Sequence, residues 1–114
     1  MTPLRRRLAL IVRAEAAADI DDAFAWYEGR SAGLGVEFVR AIDVCLESIR
    51  RWPHSRRIAF DHLEPPVRRA LARRFPYTVY YVAAPRAVHV LGCLYQHRDP
   101  GAIREQVERR ARDV

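Results

Sequence analysis

The chain has no lysine: all 20 basic residues among its 114 residues are arginine. Arginine stays protonated at physiological pH, so its side chain can bind or stabilise negative charge but cannot act as a general base. Proton abstraction would therefore fall to a histidine, a carboxylate or a tyrosine. A uniform preference for arginine also fits a GC-rich coding bias, which weakens each arginine as evidence for a contact with nucleic acid.

Cysteine and long apolar runs are scarce as well. Cys45 and Cys93 are isolated within apolar segments, which favours buried thiols in a reducing cytosol. No cysteine or histidine spacing is that of a zinc site, so the sequence predicts neither a metal nor a cofactor. The apolar run at residues 8–12 is too short for a signal-peptide core or a membrane span. We expect a cytoplasmic protein with no membrane partner.

Length and charge point to one basic domain. A chain of 114 residues can bury a hydrophobic core without disulfide or metal support. No internal repeat and no change in amino-acid composition indicates a domain boundary, so residues 1–114 are expected to form a single domain. Half of the residues are apolar and 30% are charged, which argues against disorder. The formal net charge of +6 favours an acidic partner, namely nucleic acid, the ribosome or an acidic protein.

Hydrophobic periodicity predicts a strand, two helices, three strands and a last helix. The run at 8–12 is typical of a strand, and helical spacing then begins at Ala14. Glycines separate this first helix from a second one that Pro53 ends, so the two helices should pair as a hairpin. The three later strands are predicted at 67–75, 77–83 and 87–94. Asp99-Pro100 has the form of an N-cap followed by proline at the first helical position.

This order predicts an α+β fold: an antiparallel sheet (β-α-α-β-β-β) with a helical hairpin packed on one face and a short C-terminal helix. The central strand at 77–83 is apolar on both faces, although two helices cover one face only. Either other parts of the chain cover the second face, or that face is an open groove with an apolar floor and arginine edges. A partner would occupy such a groove.

Short motifs follow one another along nearly the whole chain. They are Asp19-Ile20 with Ala23, Trp26-Tyr27, Gly33-Leu34-Gly35, Phe38, Pro53, the Arg-Arg-Phe-Pro-Tyr of 73–77, Tyr80-Tyr81 and Arg98-Asp99-Pro100. In this order and spacing the series resembles the RelE/ParE superfamily of toxins from type II toxin–antitoxin systems. The resemblance implies the fold described above and a small toxin that a partner antitoxin, expected to be small and acidic, wraps and neutralises.

Two positions depart from that family pattern. Many members have a histidine where this chain has Tyr95, and here a histidine follows two places later, at His97. Many members also have a tryptophan where this chain has Ile103. A role for the displaced histidine cannot be carried over from the family.

The superfamily divides into two activities. ParE-like members bind DNA gyrase and trap it on cleaved DNA without a catalytic site of their own, and the Asp-Ile, Trp-Tyr and Phe-Pro-Tyr steps are closer to that branch. RelE-like members cleave mRNA on the ribosome, which requires the ribose hydroxyl to be deprotonated and the phosphate charge to be stabilised. We expect the ParE-like activity, with ribosome-dependent endoribonuclease activity as the alternative.

Candidate site residues come from the arginine- and tyrosine-rich segment 67–81 and from the segment around Arg98. The residues expected to bind the antitoxin or the target are Arg68, Arg69, Arg73, Arg74, Tyr77, Tyr80 and Arg98. The candidates for catalysis, if the protein is a ribonuclease, are Arg73, Arg74, Tyr81, Tyr95 and Arg98. For the tyrosines, packing in the core is the competing interpretation.

Overall fold

The computed structural model describes residues 8–114, which form five strands and three helices. In chain order the elements are β1 (Ala9–Val12), α1 (Ala14–Arg30), α2 (Leu34–Arg51), β2 (Ile58–Phe60), β3 (Val67–Leu71), β4 (Tyr77–Ala83), β5 (Ala87–Tyr95) and α3 (Pro100–Ala111). The strands lie in one sheet in the order β1-β5-β4-β3-β2. The predicted α+β fold, with its helical hairpin and C-terminal helix, is confirmed.

The turn between α1 and α2 explains the glycines of the Gly33-Leu34-Gly35 motif. The Glu28 carboxylate accepts hydrogen bonds from the backbone amides of Gly33 and Gly35, each at 2.9 Å. Gly33 has φ of +89°, a left-handed conformation that glycine adopts without steric cost. A Cβ on Gly35 would lie 2.7 Å from the carbonyl oxygen of Phe24, so glycine lets the two helices approach closely.

The hairpin of α1 and α2 covers one side of the sheet, which we call the hairpin face. Its core contains an aromatic cluster around Phe38, a fully buried residue of α2. The Phe38 ring centroid lies 5.1 Å from that of Tyr77, 5.2 Å from that of Tyr27 and 5.4 Å from that of Phe75. Phe75 and Tyr77 of the Phe-Pro-Tyr step therefore belong to this core.

Helix α3 covers the opposite side of the sheet, which we call the α3 face. Ile103 and Val107 of α3 are buried there. They belong to a separate apolar cluster with Val67, Tyr80, Val82, Leu91 and Leu94 of the sheet. The hypothesis of an open groove on the second face is therefore wrong.

The start of α3 follows the prediction. The Asp99 Oδ2 atom accepts a hydrogen bond from the Ala102 amide at 2.9 Å, and Pro100 stands at the first helical position. This N-cap satisfies a backbone donor that the helix itself leaves free.

Three details differ from the sequence expectation. The strand expected at 67–75 ends at Leu71, because Arg74 has φ of +73° and the chain turns there into β4. A three-residue strand, β2, pairs antiparallel with β3. β1 pairs with β5 in parallel, so the sheet is mixed rather than wholly antiparallel. The long connection from β1 to β5 permits this parallel arrangement, since no tight hairpin joins the two strands.

Candidate functional site

The loop 72–76 between β3 and β4 carries Arg73 and Arg74 at the rim of a groove against α2. We call this concavity, of about 520 Å³, the arginine groove. Its described lining residues are Glu37, Arg40, Ala41, Val44, Cys45, Ser48, Arg56, Leu71, Arg73 and Arg74. Both arginines of the predicted Arg-Arg-Phe-Pro-Tyr segment are exposed, and both line this groove.

Arg68 and Arg69 of β3 have different environments. The Arg68 Nη1 atom donates to the carbonyl oxygens of Arg56, at 2.8 Å, and His54, at 3.2 Å. Arg68 therefore fastens the segment after α2 to the sheet, which is a structural use of its charge. Arg69 is exposed and lines a shallow depression beside Arg57, so it remains available to a partner.

The two tyrosines of the Tyr80-Tyr81 pair point to opposite faces of the sheet. Tyr81 is fully buried on the hairpin face, where its hydroxyl donates to the Pro53 carbonyl oxygen at 2.7 Å. Burial raises the pKa of Tyr81 to about 12, against the opposing effect of Arg68. Tyr80 is buried on the α3 face and stacks on Phe60, with ring centroids 6.1 Å apart. These placements favour packing over direct contact with a ligand for both tyrosines.

A second concavity, of about 580 Å³, lies between α1 and the adjoining ends of β4 and β5, and we call it the aromatic groove. Its described lining residues are Asp19, Asp22, Ala23, Trp26, Tyr27, Pro76, Tyr77, Cys93, Tyr95 and Arg98. Trp26 remains 54% exposed at this site. Desolvation, reinforced by Tyr27, raises the pKa of Tyr77. Burial likewise raises the pKa of Tyr27, so the phenols of Tyr27 and Tyr77 are neutral at physiological pH.

Tyr95, His97 and Arg98 lie together where the chain leaves β5. The Tyr95 ring is exposed and its centroid is 5.2 Å from that of His97. On its other side Tyr95 contacts Tyr77, with centroids 5.7 Å apart. Arg98 is exposed and its Nη1 atom is 3.5 Å from Gln106 Oε1. This small cluster combines a phenol, an imidazole and a fixed cation.

The five candidate catalytic residues do not converge on one site. Arg73 and Arg74 line the arginine groove, Tyr95 and Arg98 line the aromatic groove, and Tyr81 lies in the core. The loop 72–76 contributes to both grooves, because Pro76 borders the second one. The structure thus divides the predicted residues between two adjacent surfaces.

A largely buried ion pair that the sequence did not reveal lies at the edge of the aromatic groove. Arg110 of α3 donates to Asp19 of α1, with Nη1 2.7 Å from Oδ2 and Nη2 3.3 Å from Oδ1. The same groups satisfy the edge of β5 beyond its pairing with β1: Asp19 Oδ2 accepts from the Cys93 amide and Arg110 Nη1 donates to the Leu91 carbonyl. In the sequence, Asp19 stands out only as part of the Asp19-Ile20 motif. Arg110 is 91 residues away, and nothing in the sequence between them indicates that the two side chains pair.

Two kinds of feature are absent from residues 8–114, namely a metal-binding cluster and a membrane-spanning helix. No group of three or more histidine, cysteine or acidic side chains is arranged there to hold a metal ion. In the same part of the chain, no helix has the length and apolar character needed to cross a membrane.

Comparison with known proteins identifies the architecture. No family model matches the chain, and no curated protein matches it. Eight chains of solved structures match, one of them from a structure described as "Chromosomal ParDE TA system from P. aeruginosa". That superposition has a TM-score of 0.62 at 18% sequence identity and covers 76% of this chain and 94% of the other. The chain therefore has a ParE-like toxin fold.

Proposed function

We propose that this protein is the toxin of a type II toxin–antitoxin system, that it acts by binding and poisoning DNA gyrase, and that a small acidic antitoxin neutralises it. The observation that carries the proposal is the structural likeness to a chain of a ParDE system over three quarters of this sequence. The ParE-like motifs of α1 and of the Phe-Pro-Tyr step support the same branch.

The distribution of the polar side chains supports a binding function. Tyr81 is buried and hydrogen-bonded to the Pro53 carbonyl, so its hydroxyl is engaged away from solvent. The exposed arginines Arg73 and Arg74 lie in a different groove from Tyr95 and Arg98. Two adjacent grooves that each present charge and apolar surface suit a protein partner better than one reacting phosphate.

The test has two parts. Induction of the gene in a bacterial host should arrest growth, and co-expression of the small acidic protein encoded beside it should restore growth and co-purify with the toxin. The purified toxin should inhibit supercoiling by gyrase and accumulate cleaved DNA. If growth stops while supercoiling continues unchanged in the presence of excess toxin, gyrase is not the target.

The cluster of Tyr95, His97 and Arg98 supports the alternative, an mRNA endoribonuclease of the RelE kind. An imidazole beside a phenol can move protons, and the guanidinium can stabilise the charge that develops on the phosphate. Under this alternative, Tyr95 and His97 would supply the acid–base pair that a chain without lysine needs.

A translating extract distinguishes this alternative from gyrase poisoning. Ribonuclease activity would appear as codon-dependent cleavage of mRNA, and His97→Ala or Arg98→Ala should lower its rate at least about 100-fold. Arg86→Ala, at an exposed position in the β4–β5 turn, is the matched control. Intact mRNA under conditions that arrest growth excludes the alternative.

A further inference from the structure

The arginine groove combines an apolar floor with a charged rim. Val44 of α2 and Leu71 at the end of β3 are 68% and 58% exposed, although both are large apolar side chains. They line the same concavity together with Ala41. Apolar side chains gathered in a concave surface, rather than scattered singly, mark a place where a partner excludes water.

Positive charge surrounds this floor without matching negative charge. Arg40, Arg56, Arg73 and Arg74 contribute four guanidinium groups, whereas Glu37 is the one carboxylate among the described lining residues. The distance between Arg74 Nη1 and Glu37 Oε1 is 3.6 Å. Even with this pair formed, the groove keeps a local charge of about +3, which attracts an anionic ligand.

Arg56 lines the groove and has one guanidinium donor without a partner among residues 8–114. Its Nη2 atom donates to the Ser48 hydroxyl, which fixes the side chain against α2. Its Nε atom is buried and has no hydrogen-bond partner among residues 8–114. A buried donor without a partner is unfavourable, and an incoming acceptor would relieve it.

Arg74 is held in an unusual backbone conformation at the rim. Its φ of +73° is sterically unfavourable for a residue with a Cβ atom. The contact with Glu37 and the position of the guanidinium carbon 5.4 Å from the centre of the Phe75 ring hold the side chain over the groove. Such local strain is typical of sites that present a side chain to a ligand.

We propose that the arginine groove binds an acidic amphipathic segment of the antitoxin. Apolar side chains of that segment would cover Val44 and Leu71, and its carboxylates would pair with the rim arginines in the bidentate geometry that guanidinium groups favour. The inference rests on the proposed function, because it takes the partner to be the antitoxin. It adds the place and the chemistry of binding.

An acidic peptide fits this groove better than RNA does. Proteins bind single strands by stacking bases on aromatic side chains along a basic groove. None of the described lining residues of the arginine groove is aromatic, and the exposed floor consists of aliphatic side chains. Phosphate contacts would leave Val44 and Leu71 exposed to water.

The experiment measures binding of two probes to the full-length protein. One probe is the purified acidic protein encoded beside the gene, and the other is a single-stranded RNA oligonucleotide. Val44→Asp and Arg40→Glu test the floor and the rim. Val36→Asp, at an exposed α2 position outside the groove lining, and Arg86→Glu, at the opposite end of β4, are their matched controls.

We expect the two groove variants to raise the dissociation constant for the acidic protein at least about tenfold, and the two controls to change it less than about threefold. Circular dichroism melting checks that each variant is folded. If the groove and control variants bind equally well, the groove proposal is overturned while the proposed function stands. If the wild-type protein itself does not bind the acidic protein, both fail together. If the groove variants lose only RNA binding, the occupant is nucleic acid and the proposal is wrong.

Glu37→Gln gives a second and opposite test. Removing the one carboxylate among the described lining residues frees Arg74 for the partner, so affinity for the acidic protein should increase about threefold and depend more steeply on salt. This substitution is conservative in size and lies on the helix surface, so it should leave folding intact. Unchanged or weaker binding of Glu37→Gln contradicts the proposed charge pairing.

Discussion

The two faces of the sheet are stabilised in different ways. On the hairpin face, two long helices bury an aromatic cluster centred on Phe38. On the α3 face, one helix of 12 residues contributes the buried apolar side chains Ile103 and Val107. The largely buried Arg110–Asp19 pair adds a polar attachment between α3 and α1. Burial of a large apolar area therefore holds the hairpin on the sheet. Helix α3 buries less apolar area and depends in addition on the hydrogen bonds and charge pairing of Arg110.

Phe38→Ala should produce the largest loss of stability. The ring is fully buried and touches Tyr27, Phe75 and Tyr77, so its removal opens a cavity in the hairpin-face core. We expect a loss of about 3 to 5 kcal/mol in the free energy of unfolding, measured by urea denaturation. A loss below about 1 kcal/mol would mean that the hairpin face is not the dominant core.

Arg110→Met should cause the second-largest loss of stability, and it should loosen α3 before the rest of the protein. The side chains of Arg110 and Asp19 are 12% and 14% exposed, and the substitution leaves the Asp19 carboxylate buried without its cation. We expect a loss of about 3 kcal/mol in unfolding free energy. Amide hydrogen exchange should also speed up in α3 before it does so in α1 and α2.

The double variant Asp19→Asn with Arg110→Met sharpens this test. Asparagine keeps an oxygen that can accept the Cys93 amide but carries no charge. Part of the lost stability should therefore return. If the double variant is less stable than Arg110→Met alone, the buried charge is not the cause of the loss.

Tyr81→Phe comes next and links stability to pH. The hydroxyl donates to Pro53, so its removal should cost about 1 kcal/mol at neutral pH. The pKa of Tyr81 is about 12 in the folded protein, above the ordinary tyrosine value of 10.0, so the unfolded chain loses this proton first as pH rises. Stability should therefore fall between about pH 10 and pH 12, and the fall in thermal midpoint should be shallower in Tyr81→Phe.

Arg109→Met should have the smallest effect, although Arg109 is the immediate neighbour of Arg110. Its guanidinium pairs with Glu105 at 3.7 Å, with both side chains more than 60% exposed. An exposed pair of this kind contributes little, so we expect a change within about 0.5 kcal/mol in urea denaturation. Equal losses of unfolding free energy in Arg109→Met and Arg110→Met would mean that the Arg110–Asp19 pair does not stabilise the docking of α3.

The sequence predicted the elements that carry a strong local signal. The α2 periodicity, the glycine turn and the Asp99-Pro100 cap are each encoded within a few residues, and each is present in the structure. β2 was missed because three residues are too few to show a period. The strand predicted at 67–75 ends earlier, at Leu71, and no glycine in the sequence marks the left-handed turn at Arg74.

Features that depend on distant residues were not predictable. The parallel pairing of β1 with β5 and the Asp19–Arg110 contact both join residues more than 70 positions apart. The contribution of Arg110 to the docking of α3 cannot be read from hydrophobic periodicity, because Arg110 is not part of an apolar pattern. Among the site residues, Arg73 and Arg74 could be predicted to be close together, whereas the separation of Tyr95 and Arg98 into a second groove could not.

The pairing of β1 with β5 also has a consequence for synthesis of the chain on the ribosome. β1 is translated first, but its partner Ala87–Val90 follows almost 80 residues later, whereas α1 and α2 can form their hairpin as soon as they emerge. The nascent chain must keep an apolar strand unpaired until β5 is available, and contacts of this sequence separation form slowly. The complete sheet thus forms only after β5 has been translated, although its first strand and its helical hairpin are made much earlier.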